Sequence, residues 1–83
     1  MATNTFDVTR QVFIAVLELP EDTDVTALEQ QDLEAWDSLA HVLLCTALES
    51  EFDLQIDLDD AVELTSFTAA LEYLERRLAL QAS

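Results

Sequence analysis

The chain has 83 residues, a length that accommodates one domain and no second one. Eighteen carboxylates face only three arginines, and the formal net charge is −15. Nucleic acids and anionic membranes bind cationic surfaces, so this charge argues against both as partners and favours basic patches on other proteins. Apolar residues make up 51% of the sequence, which excludes a disordered acidic tail.

The composition also indicates the fold class. Glycine is absent and proline occurs once, which favours helices over a sheet with tight hairpins. Cys45 is the only cysteine, so neither an internal disulfide nor a cysteine-based metal cluster can form. Residues 1–5 lack the charged and apolar parts of an export signal, and no apolar run approaches membrane-spanning length. We expect a cytoplasmic, monomeric, all-α protein with a single domain over residues 1–83.

The first predicted helix covers residues 5–19. Its apolar side chains recur at helical spacing, as Phe6, Phe13 and Leu17 show. Thr5 is expected to cap its start, and Pro20 marks its end.

A long loop, residues 21–36, follows this helix. Sixteen residues are many for a connection in a small domain, and such loops often contain a short helix or carry function. We expect a turn of helix within residues 26–31. The apolar side chains expected to fix the loop to the core are Val25, Leu28, Leu33 and Trp36.

The second predicted helix covers residues 38–52, with Asp37 as its N-cap. Spacings of three and four define its expected buried face, which consists of Val42, Cys45, Leu48 and Phe52, with Leu44 beside them. His41 lies at the core-facing edge of this helix. A hydrogen-bonded structural role is the preferred interpretation of His41, with contact to a bound group as the alternative.

Two further helices complete the expected fold. A short helix starts at Asp57 or Asp59 and ends at residue 64, and a last helix runs from residue 65 or 66 to about residue 80. The expected core stripe of the last helix consists of Phe67, Leu71, Leu74 and Leu78. Arg76 and Arg77 are expected near its negative dipole end.

The segment Trp36-Asp37-Ser38-Leu39 stands at the predicted start of the second helix. A hydroxyl in the first turn of a helix is exposed, and a phosphate attached to it would face unpaired N–H groups and the positive end of the helix dipole. Ser38 is therefore suited to carrying a phosphodiester. Catalysis by Ser38 is not expected, because the only histidine, His41, follows on the same helix without a third residue to orient it.

The stretch from residue 34 to residue 75 resembles an acyl carrier protein, in which the serine of a D-S-L motif bears a 4'-phosphopantetheine arm. Asp37, Ser38 and Leu39 form that motif here. The resemblance implies a four-helix carrier-protein bundle and attachment of the arm to Ser38 by a phosphopantetheinyl transferase that uses coenzyme A. An acyl group would be held on the arm as a thioester. The protein would not be an enzyme, and Asp37 would order the helix start or approach the metal ion of the transferase.

The resemblance also implies partners, namely acyl-loading and acyl-processing enzymes with basic docking patches. The expected partner face consists of Ala40, Leu43, Thr46, Ala47 and Glu49. Carriers of fatty acid synthesis place acidic residues where this chain has Ala40 and Leu43, and a glycine where it has Ala35 or Trp36. These departures favour a dedicated, polyketide-like pathway of secondary metabolism.

Two alternatives stay open. A peptidyl or aminoacyl carrier shares the fold and the arm. An acidic helical binding protein of the immunity type, which would neutralise a basic toxin without a prosthetic group, fits the composition nearly as well. A calcium loop at residues 57–60 is rejected, because Val62 and Thr68 occupy the positions that need glycine and glutamate.

Overall fold

A computed structural model describes residues 4–82. The α-helices are α1 (Thr5–Leu17), α2 (Ser38–Phe52), α3 (Leu58–Ala61) and α4 (Phe67–Ala82). Two 3₁₀ turns, Val25–Ala27 and Gln30–Asp32, lie between α1 and α2. Residues 4–82 contain no strand, only an isolated antiparallel bridge between Glu29 and Ser66. The prediction of an all-α chain with three long helices, one short helix and a long first loop is confirmed at this level. No helix within these residues is long and apolar enough to cross a membrane.

The ends of α1 differ from the prediction. Asn4, and not Thr5, is the N-cap, because its Oδ1 accepts a hydrogen bond from the N–H of Asp7 at 2.7 Å. The helix ends at Leu17, where Glu18 adopts a left-handed conformation with φ of 53° and turns the chain before Pro20. The left-handed conformation costs free energy for any residue that has a Cβ atom, and the chain contains no glycine that could adopt it without this cost.

The long loop is fixed both by backbone hydrogen bonds and by apolar side chains that pack into the core. The N–H of Gln30 donates to the carbonyl of Thr65 at 2.8 Å, and the N–H of Phe67 donates to the carbonyl of Leu28 at 3.1 Å. These bonds tie the loop to the start of α4. The expected anchors Val25, Leu28 and Trp36 are buried, and Leu33 is half-buried against the core. The predicted turn of helix takes the form of the two 3₁₀ turns.

Aromatic rings form the centre of the core. Phe13 of α1 and Phe67 of α4 are fully buried with ring centroids 5.1 Å apart, and Trp36 packs edge-on to Phe13 at 5.3 Å. Edge-to-face pairs of this kind contribute about 0.5–1.5 kcal/mol each beyond area burial. On α4, Leu74 is also fully buried as predicted, whereas Leu71 and Leu78 are half-buried.

The boundaries of α2 are confirmed, but its predicted buried face is only partly right. Leu44 and Leu48 are buried, Cys45 and Phe52 are half-buried, and Val42 is exposed. The assignment of Val42 to the core is therefore wrong. Apolar residues surround the first three turns of α2, so several stripes have helical spacing. The buried one is the stripe that contains Leu44 and Leu48.

In the second half of the chain, helix α3 is shorter and helix α4 is longer than predicted. Of the two expected starts, Asp57 is the residue that directly precedes α3, and it makes no side-chain capping bond there. The helix ends at Ala61, and a turn leads on to Leu64. Ser66 precedes α4, and its Oγ accepts from the N–H of Ala69 at 3.0 Å. Because α4 extends to Ala82, the last turn of the helix contains no arginine, and the predicted placement of Arg76 and Arg77 at the dipole end is wrong.

Candidate functional site

The start of α2 presents Ser38 to solvent. Asp37 is extended, and its Oδ1 accepts from the N–H of Ala40 at 2.8 Å, which confirms the predicted N-cap. Ser38 is the first helical residue and is exposed. The first N–H groups of a helix have no acceptor within the helix, so a negatively charged substituent at this point is stabilised by them and by the helix dipole.

His41 is held by two hydrogen bonds on opposite sides of its ring. The indole Nε1–H of Trp36 donates to Nδ1 at 3.0 Å, and Nε2 lies 2.8 Å from the carbonyl oxygen of Ala61. Since a carbonyl only accepts, the proton of the neutral ring belongs on Nε2. His41 thus connects the end of the loop, α2 and α3. Both nitrogens are occupied, so His41 has no nitrogen left to act as a base toward Ser38.

A groove of about 470 Å³ lies between α2 and α3. Its lining includes His41, Val42, Cys45, Ile56, Leu58 and Val62. Val42 follows Ser38 by one helical turn, so the groove begins on the Ser38 side of α2. A bound group anchored at Ser38 therefore has an adjacent, mainly apolar surface to contact.

Besides His41, two ionisable side chains of α2 line the groove, Cys45 and Glu49. Burial, and secondly the charge of Glu49, raise the pKa of the Cys45 thiol above its ordinary value of 9.0. Glu49 Oε2 accepts from the N–H of Ile56 at 2.7 Å, which fixes the connector that follows α2. The thiol is therefore protonated at neutral pH, and the carboxylate has a structural partner.

The five residues of the predicted partner face do not share one surface. Leu43 and Thr46 are exposed, whereas Ala40 and Ala47 are half-buried against the core. Glu49 is half-buried on the groove side. Of the motif residues, Asp37, Ser38 and Leu39 are all exposed at one helix end.

Part of this region was not predicted from the sequence. Leu58, the first residue of α3, and Val62, directly after the helix, are strongly exposed, and Val42 lies with them at the groove. The sequence contains one indication that these two side chains are exposed, which is their acidic surroundings: Leu58 stands among aspartates, and Val62 precedes Glu63. Large apolar side chains in so acidic a segment are candidates for binding.

A polar cluster attaches α3 to α4. The hydroxyl of Tyr73 donates to Asp60 Oδ2 at 2.9 Å, and Arg77 donates to Tyr73 and to the carbonyl of Gln55. Burial and the bond to Asp60 raise the pKa of Tyr73 above 10.0, although Arg77 opposes this shift. The bond between His41 and Ala61 attaches the four-residue helix α3 to α2, and the bond between Tyr73 and Asp60 attaches it to α4.

Metal ligation has no candidate within residues 4–82, because no three His, Cys, Asp or Glu side chains are placed to hold one ion there. No protein-family model matches the sequence.

Proposed function

We propose that this protein is a discrete cytoplasmic acyl carrier protein with a 4'-phosphopantetheine arm on Ser38. It holds an acyl group for partner enzymes of a dedicated, polyketide-like pathway and is not itself an enzyme. The observation that carries this proposal is the exposed Ser38 hydroxyl at the N-terminus of α2, directly after the Asp37 cap. When bound, the arm supplies a flexible terminal thiol for a thioester, which raises the effective concentration of the acyl group near a docked enzyme.

The residues around Ser38 fit such a group. A phosphodiester at Ser38 would lie at the positive end of α2. The less polar part of the arm would have the α2–α3 groove beside it, where Val42, Ile56 and Leu58 provide apolar contacts. No charged side chain of α2 intervenes between Ser38 and Glu49.

Attachment of the arm requires a separate transferase. The Ser38 oxygen forms a bond to the phosphorus nearest the pantetheine part of coenzyme A, and the pyrophosphate bond breaks. The adenosine bisphosphate leaves, and the hydroxyl proton passes to a base of the transferase. Asp37 contributes by keeping the first turn of α2 ordered around the reacting oxygen.

The proposal is tested by intact mass after incubation with coenzyme A, magnesium and a broad-specificity phosphopantetheinyl transferase. Wild type should gain one phosphopantetheine unit, and Ser38→Ala should gain none. Ser50→Ala is the matched control, because Ser50 is an exposed serine on the same helix. This variant should be modified like wild type. A folded, unmodified wild-type sample that gains no mass would overturn the proposal.

The acidic binding protein is the second candidate. It is favoured by the distribution of charge, since every carboxylate except Asp7 lies between Arg10 and Arg76, a segment with no lysine or arginine. Such a protein would bind a basic partner by surface charge. Its binding should survive Ser38→Ala, whereas the function of a carrier should not.

A further inference from the structure

His41 is the only histidine of the chain, and its two ring nitrogens contact groups of opposite kinds. Nδ1 accepts the indole N–H of Trp36, at the end of the loop, over 3.0 Å. Nε2 donates to the carbonyl oxygen of Ala61 in α3, which lies 2.8 Å away. The neutral ring is therefore an acceptor toward the loop and a donor toward α3.

A second proton on the ring changes these two contacts in opposite ways. An imidazolium ring is a donor at both of its nitrogens. Its Nε2–H still donates to the carbonyl of Ala61, and this bond becomes charge-assisted and therefore stronger. At Nδ1 the new N–H meets the indole N–H of Trp36, and two donors cannot form a hydrogen bond with each other. Protonation of His41 thus keeps the bond to α3 and breaks the bond to the loop.

The burial of Trp36 makes the loss of this bond a structural event. The side chain is 2% exposed, so solvent water is not at hand to replace His41 as the acceptor. A buried N–H without an acceptor costs free energy, and a displacement of the indole toward water relieves this cost. The backbone N–H of Trp36 donates to the carbonyl of Leu33 at 3.1 Å, and Asp37 follows directly. A displaced Trp36 therefore disturbs the end of the loop, next to the cap of α2.

Ionisable groups come from each element that contacts the ring of His41. On α2, Cys45 and Glu49 line the groove with His41, and Glu49 accepts from the N–H of Ile56. Where the loop meets α2, Asp37 is engaged as the N-cap. These groups have partners of their own or, like the thiol, are neutral at neutral pH.

The α3 side of His41 is arranged in the same way. Asp60 accepts from the hydroxyl of Tyr73 in α4, and this hydroxyl also accepts from Arg77. Exposed carboxylates complete the set on the loop, on α3 and beside it: Glu34, Asp57, Asp59 and Glu63. Since both ring nitrogens are bonded elsewhere, none of these groups forms a hydrogen bond with the neutral ring.

We propose that His41 is a proton-operated switch for the segment that presents Ser38. Near pH 8 the neutral ring holds Trp36 and Ala61 together. Toward pH 5 a proton from solvent adds to Nδ1, the bond to Trp36 is lost, and the bond to Ala61 remains. The loop end is then released beside Asp37 and Ser38, while α3 stays attached to α2. Histidine is the side chain whose charge ordinarily changes between pH 5 and pH 8. The inference needs only the two bonds of His41 and is independent of the proposed function.

The test follows the full chain by ¹H–¹⁵N NMR from pH 8 to pH 5. Imidazole ¹⁵N signals report the protonation of Nδ1, and the indole N–H signal of Trp36 should move upfield with the same midpoint, because its acceptor is lost. The Overhauser contact between the indole N–H and the ring of His41 should disappear. The carbonyl ¹³C signal of Ala61 should keep its hydrogen-bonded position throughout.

Two variants separate this effect from other titrations. His41→Gln is the matched control, because glutamine stays neutral over this range and every carboxylate of the chain is retained. Its indole signal should not change between pH 8 and pH 5. Trp36→Phe removes the opposing donor, so His41 should gain its proton without any pH-linked shift of the backbone amides of Asp37 and Ser38. Circular dichroism verifies that both variants fold.

The possible results are distinct. Loss of the Trp36 contact together with protonation of Nδ1 supports the switch. An indole signal that stays in place while His41 gains its proton overturns it, as does a ring that is still neutral at pH 5. Loss of the Ala61 bond in place of the Trp36 bond contradicts the proposed direction. A pH-dependent indole shift of equal size in His41→Gln assigns the change to the carboxylates and overturns the role of His41.

Discussion

The indole Nε1–H of Trp36 donates a hydrogen bond to Nδ1 of His41, and the other nitrogen of the ring faces the carbonyl of Ala61. This pair joins the residue two positions before Ser38 to the helix on the far side of the groove. It also requires one tautomer, with the proton on Nε2.

The first prediction concerns this bond. Trp36→Phe keeps an aromatic ring beside Phe13 but removes the N–H donor, and we expect it to lower the free energy of unfolding by about 1–3 kcal/mol. A double-mutant cycle with His41→Ala should give a coupling of about 1 kcal/mol. Urea denaturation measures both quantities. Additive effects of the two substitutions would show that the bond contributes nothing, and ¹⁵N NMR should independently find the hydrogen on Nε2.

The second prediction concerns the cap of α2. Asp37→Ala removes the acceptor for the N–H of Ala40 and should destabilise the protein by about 1 kcal/mol. Asp37→Asn keeps an acceptor oxygen and should retain most of the stability. Ser38→Ala, at an exposed position, should change it by less than about 0.5 kcal/mol. Thermal denaturation compares the three variants, and an Asp37→Ala protein as stable as wild type would contradict the capping role.

The third prediction uses the left-handed residue that ends α1. Glu18→Gly should stabilise the protein by about 0.5–1 kcal/mol, because relief of the positive φ exceeds the greater freedom that glycine gives the unfolded chain. Glu18→Ala is the matched control, since it removes the same charge but keeps the Cβ. Equal stability of the glycine and alanine variants in chemical denaturation would argue against backbone strain.

The fourth prediction concerns pH. The folded-state pKa of Cys45 is raised above 9.0, so the folded protein binds more protons than the unfolded chain as pH passes 9. The stabilisation from the buried neutral thiol is complete below pH 9 and is lost as pH rises through the folded-state pKa. The free energy of unfolding should therefore fall between pH 8 and pH 10, and less steeply in Cys45→Ala. Denaturant titrations at several pH values test this, and identical slopes for the two proteins would contradict it.

The sequence predicts the helices of this fold better than it predicts their faces. Asp37 and Ser66 are local capping signals, and Pro20 limits α1, so the approximate positions of the long helices follow from short-range chemistry. Val42 was assigned wrongly because apolar residues on most sides of α2 give several stripes equal periodicity. The choice between stripes depends on which surface other elements cover, and periodicity does not contain that information.

In the candidate site, too, local features could be predicted from the sequence, whereas long-range contacts could not. Ser38 and its helix start could be predicted, because they depend on neighbouring residues. The bond from His41 to Ala61 joins residues 20 positions apart, and the groove needs α2 and α3 to be side by side. That Leu58 and Val62 line the groove can be recognised only from that arrangement.

Trp36 is the only tryptophan of the chain, is 2% exposed and lies two residues before Ser38. Its emission therefore reports a single environment, which is the junction of the loop, α2 and α3. Any event that moves α3 and releases His41 alters the polarity around the indole and its quenching by the stacked imidazole, whose ring centroid is 6.0 Å away. Changes at the groove can thus be followed by intrinsic fluorescence in the unlabelled wild-type protein.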